Sequence, residues 1–228
     1  MKIIQDPAIF NQYVDQHQLH RWLHPTDMTI ELRRYKENEV LLFEGDEIDG
    51  LYIQVSGRTR ITTSVLTGKA LLLRFCYAGS VMGDLELVQR LDVQSQVMAD
   101  EETDVLFIHK REVEGVLFHQ VAFLQELLKQ VTYKLNTCTI ASRVNVLSSV
   151  ETRLASYLCS IRHYERFGKE LYATSQKDIA ALLGTTPRHL NRVLDKWLSQ
   201  KVIAKDRTNI EVLDWEAIED LSEGLRYK

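Results

Sequence analysis

Residues 175–198 contain two helix starts eleven positions apart, and no other stretch leaves the backbone so little choice. Ser175-Gln176-Lys177-Asp178 is a capping box: the hydroxyl satisfies an amide of the first turn, and the carboxylate three residues on reaches back. Ile179, Ala180, Leu182 and Leu183 then fall at helical spacing, and Ala180 is small enough to let a second helix cross closely. Gly184 supplies the left-handed residue that ends this helix. Thr186-Pro187 opens the next, with threonine as cap and proline at the first helical position, where its missing N–H costs nothing. Leu190, Val193, Leu194 and Trp197 follow on one face. The pattern predicts a helix-turn-helix with its second helix over residues 187–198.

The other face of that helix carries Arg188, His189, Asn191, Arg192 and Lys196. Arginine can bridge guanine O6 and N7, asparagine can pair with adenine, and cations late in the helix can hold phosphates. Each of these side chains could instead be a solvated charge. Two cations and an amide at the start of the second helix of this motif point to double-stranded DNA. Ser175 and Thr186 are candidate hydroxyl contacts to the backbone. Beyond Ser199, Val202-Ile203-Ala204 and Ile210-Glu211-Val212 flank a polar turn, which predicts a hairpin wing with Lys205 and Arg207 near phosphates. Asp214 can cap a last short helix holding Trp215, Ile218 and Leu221.

A net charge of −4 looks wrong for a DNA binder until it is divided along the chain. Residues 1–142 carry 14 Lys/Arg against 20 Asp/Glu, residues 143–207 carry 12 against 6, and the last 21 residues carry 2 against 6. A basic block between acidic ones is a local electrostatic footprint, which matters more to DNA than the total.

Upstream, two other periodicities appear. Short apolar runs at Val40–Phe43, Leu51–Val55, Arg58–Ser64, Lys69–Tyr77 and Val105–Ile108 are punctuated by glycine turns. No long helices intervene, so the expectation is a sandwich or barrel, not alternating β and α. Residues 8–24 read as a helix beside the sheet. From residue 112 the period changes. Leu117, Val121, Leu124, Leu128, Val131, Leu135 and Cys138 recur at steps of 4 and 3, a heptad seam. No proline or glycine interrupts residues 116–142; a helix that long would span about 40 Å, and a second copy of the chain is its natural cover. Val116 and Leu127 lie off the seam and could pack back onto the sheet. Residues 149–164 read as a helix with Val150, Leu154, Tyr157, Leu158 and Ile161 on one side, ended by Phe167-Gly168-Lys169.

This order of parts resembles the cyclic-AMP receptor protein and fumarate–nitrate reduction regulator (Crp/Fnr) superfamily of bacterial transcription factors, over about residues 25–221. The matching stretches are GDEIDGLYIQVSG at 45–57, YAGSVMGDLEL at 77–87 and SQKDIAALLGTTPRHLNRVLDKWLSQKVI at 175–203. The resemblance implies an α+β chain in three parts. Residues 1–111 would be a cyclic-nucleotide-binding-like β jelly roll, 112–142 a dimerisation helix and 143–228 a winged helix-turn-helix. Arg188 and Arg192 match positions that usually read bases, whereas Pro187 stands where an arginine is common, so the operator should differ.

In nucleotide-binding members a glycine–glutamate pair holds the ribose and an arginine–serine pair holds the cyclic phosphate. The matching residues here are Gly83-Asp84 and Gln94-Ser95. A phosphate in a partly buried pocket needs a cation or many donors to offset its desolvation, and glutamine supplies one neutral donor. Control by cyclic AMP is therefore not expected. The four cysteines of the iron–sulfur members are also missing, since no cysteine precedes Cys76. His17, His20 and His24 read as surface residues, not haem ligands.

The expected function is thus a homodimeric, sequence-specific transcription regulator on a palindromic operator, with RNA polymerase as a partner if it activates. The alternative is a small-molecule or redox sensor whose DNA binding depends on an unidentified effector. An enzyme is not expected, because residues 39–108 contain no histidine for a metal site on the strands. No cofactor or metal is expected. Cys76, Cys138 and Cys159 suit neither a CxxC site nor a disulfide framework. With no apolar run near 20 residues and no secretion signal, a cytoplasmic protein without a membrane partner is expected.

Overall fold

The structure is a computed structural model that describes residues 1–23, 28–64, 70–162, 166–206 and 210–227. It divides into two units, residues 1–64 with 75–134, and residues 65–74 with 135–228. His24 and Arg207 lie outside the described residues.

The first unit is built on β strands. One sheet runs in the order β1 (Lys2–Ile3), β2 (Ile30–Tyr35), β9 (Thr103–His109), β4 (Gly50–Gln54), β7 (Val81–Met82). The other runs β3 (Val40–Leu42), β8 (Gln96–Ala99), β5 (Thr59–Ser64), while most of β6 (Ala70–Cys76) belongs to the second unit. Sequence-distant neighbours within each sheet are the jelly-roll pattern the glycine-punctuated runs predict. At the centre of the first sheet, β9 pairs antiparallel with β2, from Ile30↔Ile108 to Tyr35↔Thr103, and with β4, from Gly50↔His109 to Gln54↔Val105. Its residues 103–108 are all buried. A strand covered on both faces reads as a continuous apolar run, not an alternation.

Helices complete this core. Val14 of α1 (Pro7–Gln16), Val113 of α3 (Lys110–Gly115), and Phe123 and Leu127 of α4 (Val121–Leu147) join the strand side chains in one buried cluster. Burying each such side chain stabilises the fold by ~1.5–3 kcal/mol. The first helix is shorter than the expected 8–24, because Gln18 turns left-handed at φ 53° and a single 3-10 turn follows. His17 is half-buried, with Nε2 2.7 Å from the Val55 carbonyl, not a surface residue.

The long helix differs at both ends from the expected 112–142. It begins at Val121, after α3 and a 3-10 turn at Leu117–His119, and continues to Leu147. Gln120, extended at φ −100° and ψ 118°, interrupts the helical backbone. Leu117 is fully buried in the core and so is not part of the seam. A 4-residue step is compatible with either outcome, and the demand of the core for Leu117 decides it.

The second unit is mostly helical: α5 (Val150–Arg162), α6 (Arg166–Leu171), α7 (Gln176–Leu182), α8 (Pro187–Ser199) and α9 (Trp215–Leu221), with the antiparallel hairpin β10 (Ile203–Lys205) and β11 (Ile210–Val212). Gly168 does not end a helix but sits inside α6. A Cβ there would lie 2.4 Å from the Ser160 carbonyl oxygen, so glycine permits a close approach to α5. Buried Arg74 pairs with Glu170 at 3.1 Å and donates to Thr137 Oγ1 at 2.7 Å.

Candidate DNA-binding interface

The two helix starts form as the side chains dictate. Ser175 caps α7, its Oγ accepting from the Asp178 amide at 3.1 Å and donating to the Asp178 carboxylate at 2.7 Å. Gly184 takes φ +59°, the left-handed conformation that ends the helix. Thr186 caps α8 by accepting from the His189 amide at 3.2 Å, with Pro187 in the first turn. Leu190, Val193, Leu194 and Trp197 are buried, as their spacing requires.

That burial leaves a polar face outside. Arg188, His189 and Arg192 are exposed, and their side chains make no hydrogen bond or ion pair with another described residue. Unpaired guanidinium groups along one helix face are available for base edges or phosphates without breaking an internal contact. Asn191 is half-buried, and its Oδ1 lies 3.4 Å from Nζ of Lys205 on the hairpin. The hairpin therefore lies beside the polar face of α8, with two of the expected residues in mutual contact. At that length the bond is weak, and it leaves the Asn191 amide nitrogen free to donate.

Two other expected contacts are engaged inside the chain. The single hydroxyl hydrogen of Ser175 goes to Asp178. Lys196 is held by Glu151 of α5, with Nζ 2.8 and 2.9 Å from its carboxylate oxygens. The same carboxylate accepts from Trp197 Nε1 at 2.8 Å. Burial raises the Glu151 pKa, but the Lys196 and Trp197 hydrogen bonds outweigh it and hold the carboxyl below its ordinary value. Glu151 thus ties the end of α8 to α5. No sequence spacing could reveal this, since the partners are 45 residues apart.

The four expected effector residues fall in one region of the first unit. Gly83 and Asp84 open α2 (Asp84–Gln89), and Gln94 and Ser95 precede β8. Buried Glu86 links the two halves, accepting from the Gln94 amide at 3.1 Å. Gln94 itself is exposed, and its side-chain amide donates to the Asp92 carbonyl at 2.8 Å. Asp84 is buried, with both carboxylate oxygens bound by Lys134 Nζ at 2.6 and 2.8 Å. Lys134 also donates to the Val81 carbonyl at 2.7 Å. The carboxylate expected to face a ligand thus has a cation of the same chain. An adjacent groove of about 880 Å³, lined by Ile48, Leu87, Val88, Leu91, Phe118 and Leu124 among others, contains none of the four.

A capped helix pair with a cationic second helix and a flanking hairpin, on the same chain as a jelly roll, defines a winged helix-turn-helix DNA-binding protein with a jelly-roll domain. Residues 152–221 match the Crp-like helix-turn-helix domain, and residues 32–120 match the cyclic nucleotide-binding domain. The chain belongs to the Crp/Fnr superfamily and is a DNA-binding transcription regulator of that type. It is 21% identical to the cyclic AMP receptor protein of Thermus thermophilus, over 85% of this chain and 88% of that one. It is 28% identical to the anaerobic regulatory protein of Bacillus subtilis, over 81% of each. The fold is that of the c-di-GMP-responsive global regulator of Xanthomonas campestris. That match has a TM-score of 0.70 and 16% identity, covering 87% of this chain and 97% of that one. Among the described residues, no helix is long and apolar enough to cross a membrane.

Proposed function

We propose that the protein acts as a homodimer on a palindromic operator, and that cyclic AMP does not control it. The observation that carries the dimer is the outer face of α4. Val121, Leu124, Leu128 and Leu135 are 69, 41, 64 and 66% exposed, while Phe123 and Leu127 on the adjoining face of the helix are buried. With half-buried Val131 and exposed Cys138 they continue the heptad row, and an apolar stripe of this kind is covered when two copies of the helix pair. Two recognition helices joined through such a seam would meet successive major grooves about 34 Å apart. Thr186, Arg188, His189, Asn191, Arg192 and Lys205 are the DNA contacts in this reading. A dimer bound upstream of a promoter would also meet RNA polymerase.

Independence from cyclic AMP rests on Asp84 and Gln94. The first is bound by Lys134 and the second is neutral and turned toward Asp92. The second reading, dependence on another effector, is favoured by the groove beside α2, where apolar side chains stand among charged ones such as Glu86, Arg90 and Lys110. Operator selection from a genomic library, with molar mass measured by light scattering, tests the proposal. A dimer that selects inverted repeats equally well with and without cyclic AMP is expected. A monomer, or selection that requires the nucleotide, overturns it.

A further inference from the structure

The end of α7 and the turn before α8 set where the recognition helix points, and the carbonyls closing α7 have no partners within the helix. Those of Ala180 and Ala181 accept from the Thr185 and Gly184 amides of the turn, and those of Leu182 and Leu183 are taken by donors from other elements. Arg153 Nη1 of α5 donates to the Leu183 carbonyl at 2.5 Å, and Asn145 Nδ2 of α4 donates to the Leu182 carbonyl at 3.4 Å. Asn145 Oδ1 in turn accepts the hydroxyl of Tyr227 at 2.7 Å. A carbonyl only accepts, so the amide nitrogen must face Leu182 and the amide oxygen must face the phenol. Tyr227 is 3% exposed, and its own amide donates to Ser160 Oγ at 2.8 Å. Burial raises the phenol pKa, with the Arg153 charge opposing, so the group stays a neutral O–H donor.

We infer that Tyr227 is a positioning residue for DNA recognition: it fixes Asn145, whose weak 3.4 Å bond to Leu182 supplements the 2.5 Å hold of Arg153 on Leu183, and so steadies the turn of the helix-turn-helix and the angle of α8. The tail that carries it lies beyond residues 152–221, the segment matched to the helix-turn-helix domain. The inference rests on the reading of α8 as the recognition helix. Without the hydroxyl, the Asn145 amide loses the contact that orients it, the Leu182 carbonyl bond weakens, and the turn opens more often. Backbone-driven, sequence-independent binding tolerates that motion, whereas base contacts need α8 in register.

Tyr227→Phe keeps the ring and removes only the donor. One net hydrogen bond corresponds to a change of about 2- to 13-fold, and transmission through the weak 3.4 Å bond of Asn145 to Leu182 puts the effect at the low end, about twofold. The full-length variant should therefore show faster hydrogen exchange at the amides of Leu183, Gly184 and Thr185 by about that factor. Operator affinity should fall by about the same factor, with binding to unrelated duplex unchanged. In an Asn145→Ala background, Tyr227→Phe should add nothing further at those amides. Unchanged exchange at 183–185, or an effect that adds fully to that of Asn145→Ala, overturns the inference. The exchange readout needs no DNA, so a chain with loosened turn amides but no operator preference would sink the reading of α8 and leave the Tyr227 contact standing.

Discussion

Nζ of Lys134 lies 2.6 and 2.8 Å from the two carboxylate oxygens of Asp84, a residue only 3% exposed. The ammonium comes from the long helix and the carboxylate from the first turn of α2, so the pair ties the two together. A buried carboxylate needs a cation or several donors, and this one has both charges on the same chain.

Lys134→Ala should therefore destabilise the protein by about 3 kcal/mol, because it leaves Asp84 buried without a partner. Chemical denaturation measures the loss. The double variant Lys134→Met with Asp84→Asn should recover much of it. A loss in the double variant equal to the sum of the losses of Lys134→Met and Asp84→Asn alone would mean that the pair is not coupled.

Arg192→Ala should weaken operator binding by roughly 1–3 kcal/mol, concentrated at one base position. A binding series over single-base operator variants reads this directly. Uniform weakening on every sequence, with a smaller salt slope, would place Arg192 on the phosphates instead.

Leu128→Glu puts a charge in the middle of the exposed row on α4. Leu128 is 64% exposed in the single chain, so folding of one copy should be little affected. The molar mass by light scattering should halve, and operator binding should be lost with it. A variant that stays dimeric would show that copies pair elsewhere.

Glu151 supplies the pH dependence. Its folded pKa lies below the ordinary value of 4.5, because the Lys196 and Trp197 hydrogen bonds outweigh the rise due to burial. A depressed carboxyl pKa contributes stability that is full above the unfolded pKa and lost as the pH falls through the folded one. Glu151→Gln should thus be less stable than the parent near neutral pH, with the gap closing below about pH 4.5. Thermal unfolding across that range checks it. A gap independent of pH would assign the effect to packing around Trp197.

Much of the interface was legible in the residues themselves. The caps at Ser175 and Thr186, the turn at Gly184 and the buried face through Trp197 all rest on interactions within about four residues of each other. Local geometry settles such interactions. The strands β4, β5, β6 and β9 were legible for a similar reason, since apolar runs between glycine turns have few alternatives. Strand β2 was not. Its sequence carries two arginines whose charge hides the strand pattern, and only the fold shows Arg34 bound to Asp104 at 2.7 Å and Arg33 lying over the Phe107 ring at 3.3 Å. Leu117 was misplaced on the seam because a heptad step records spacing and says nothing about which surface a side chain meets.

The sequence by itself determined that a capped helix pair would present Arg188 and Arg192 outward, because a helix with four apolar residues on one side has only the other side left. It also placed a neutral glutamine, Gln94, beside Ser95. Tertiary structure decided which polar groups remain available. Glu151 takes Lys196, Asp178 takes the hydroxyl of Ser175, Lys134 neutralises Asp84, and Tyr227 reaches Asn145 across 82 residues. All but the Ser175 contact join residues at least 45 positions apart in the chain. Their energies depend on distances that only the folded chain establishes.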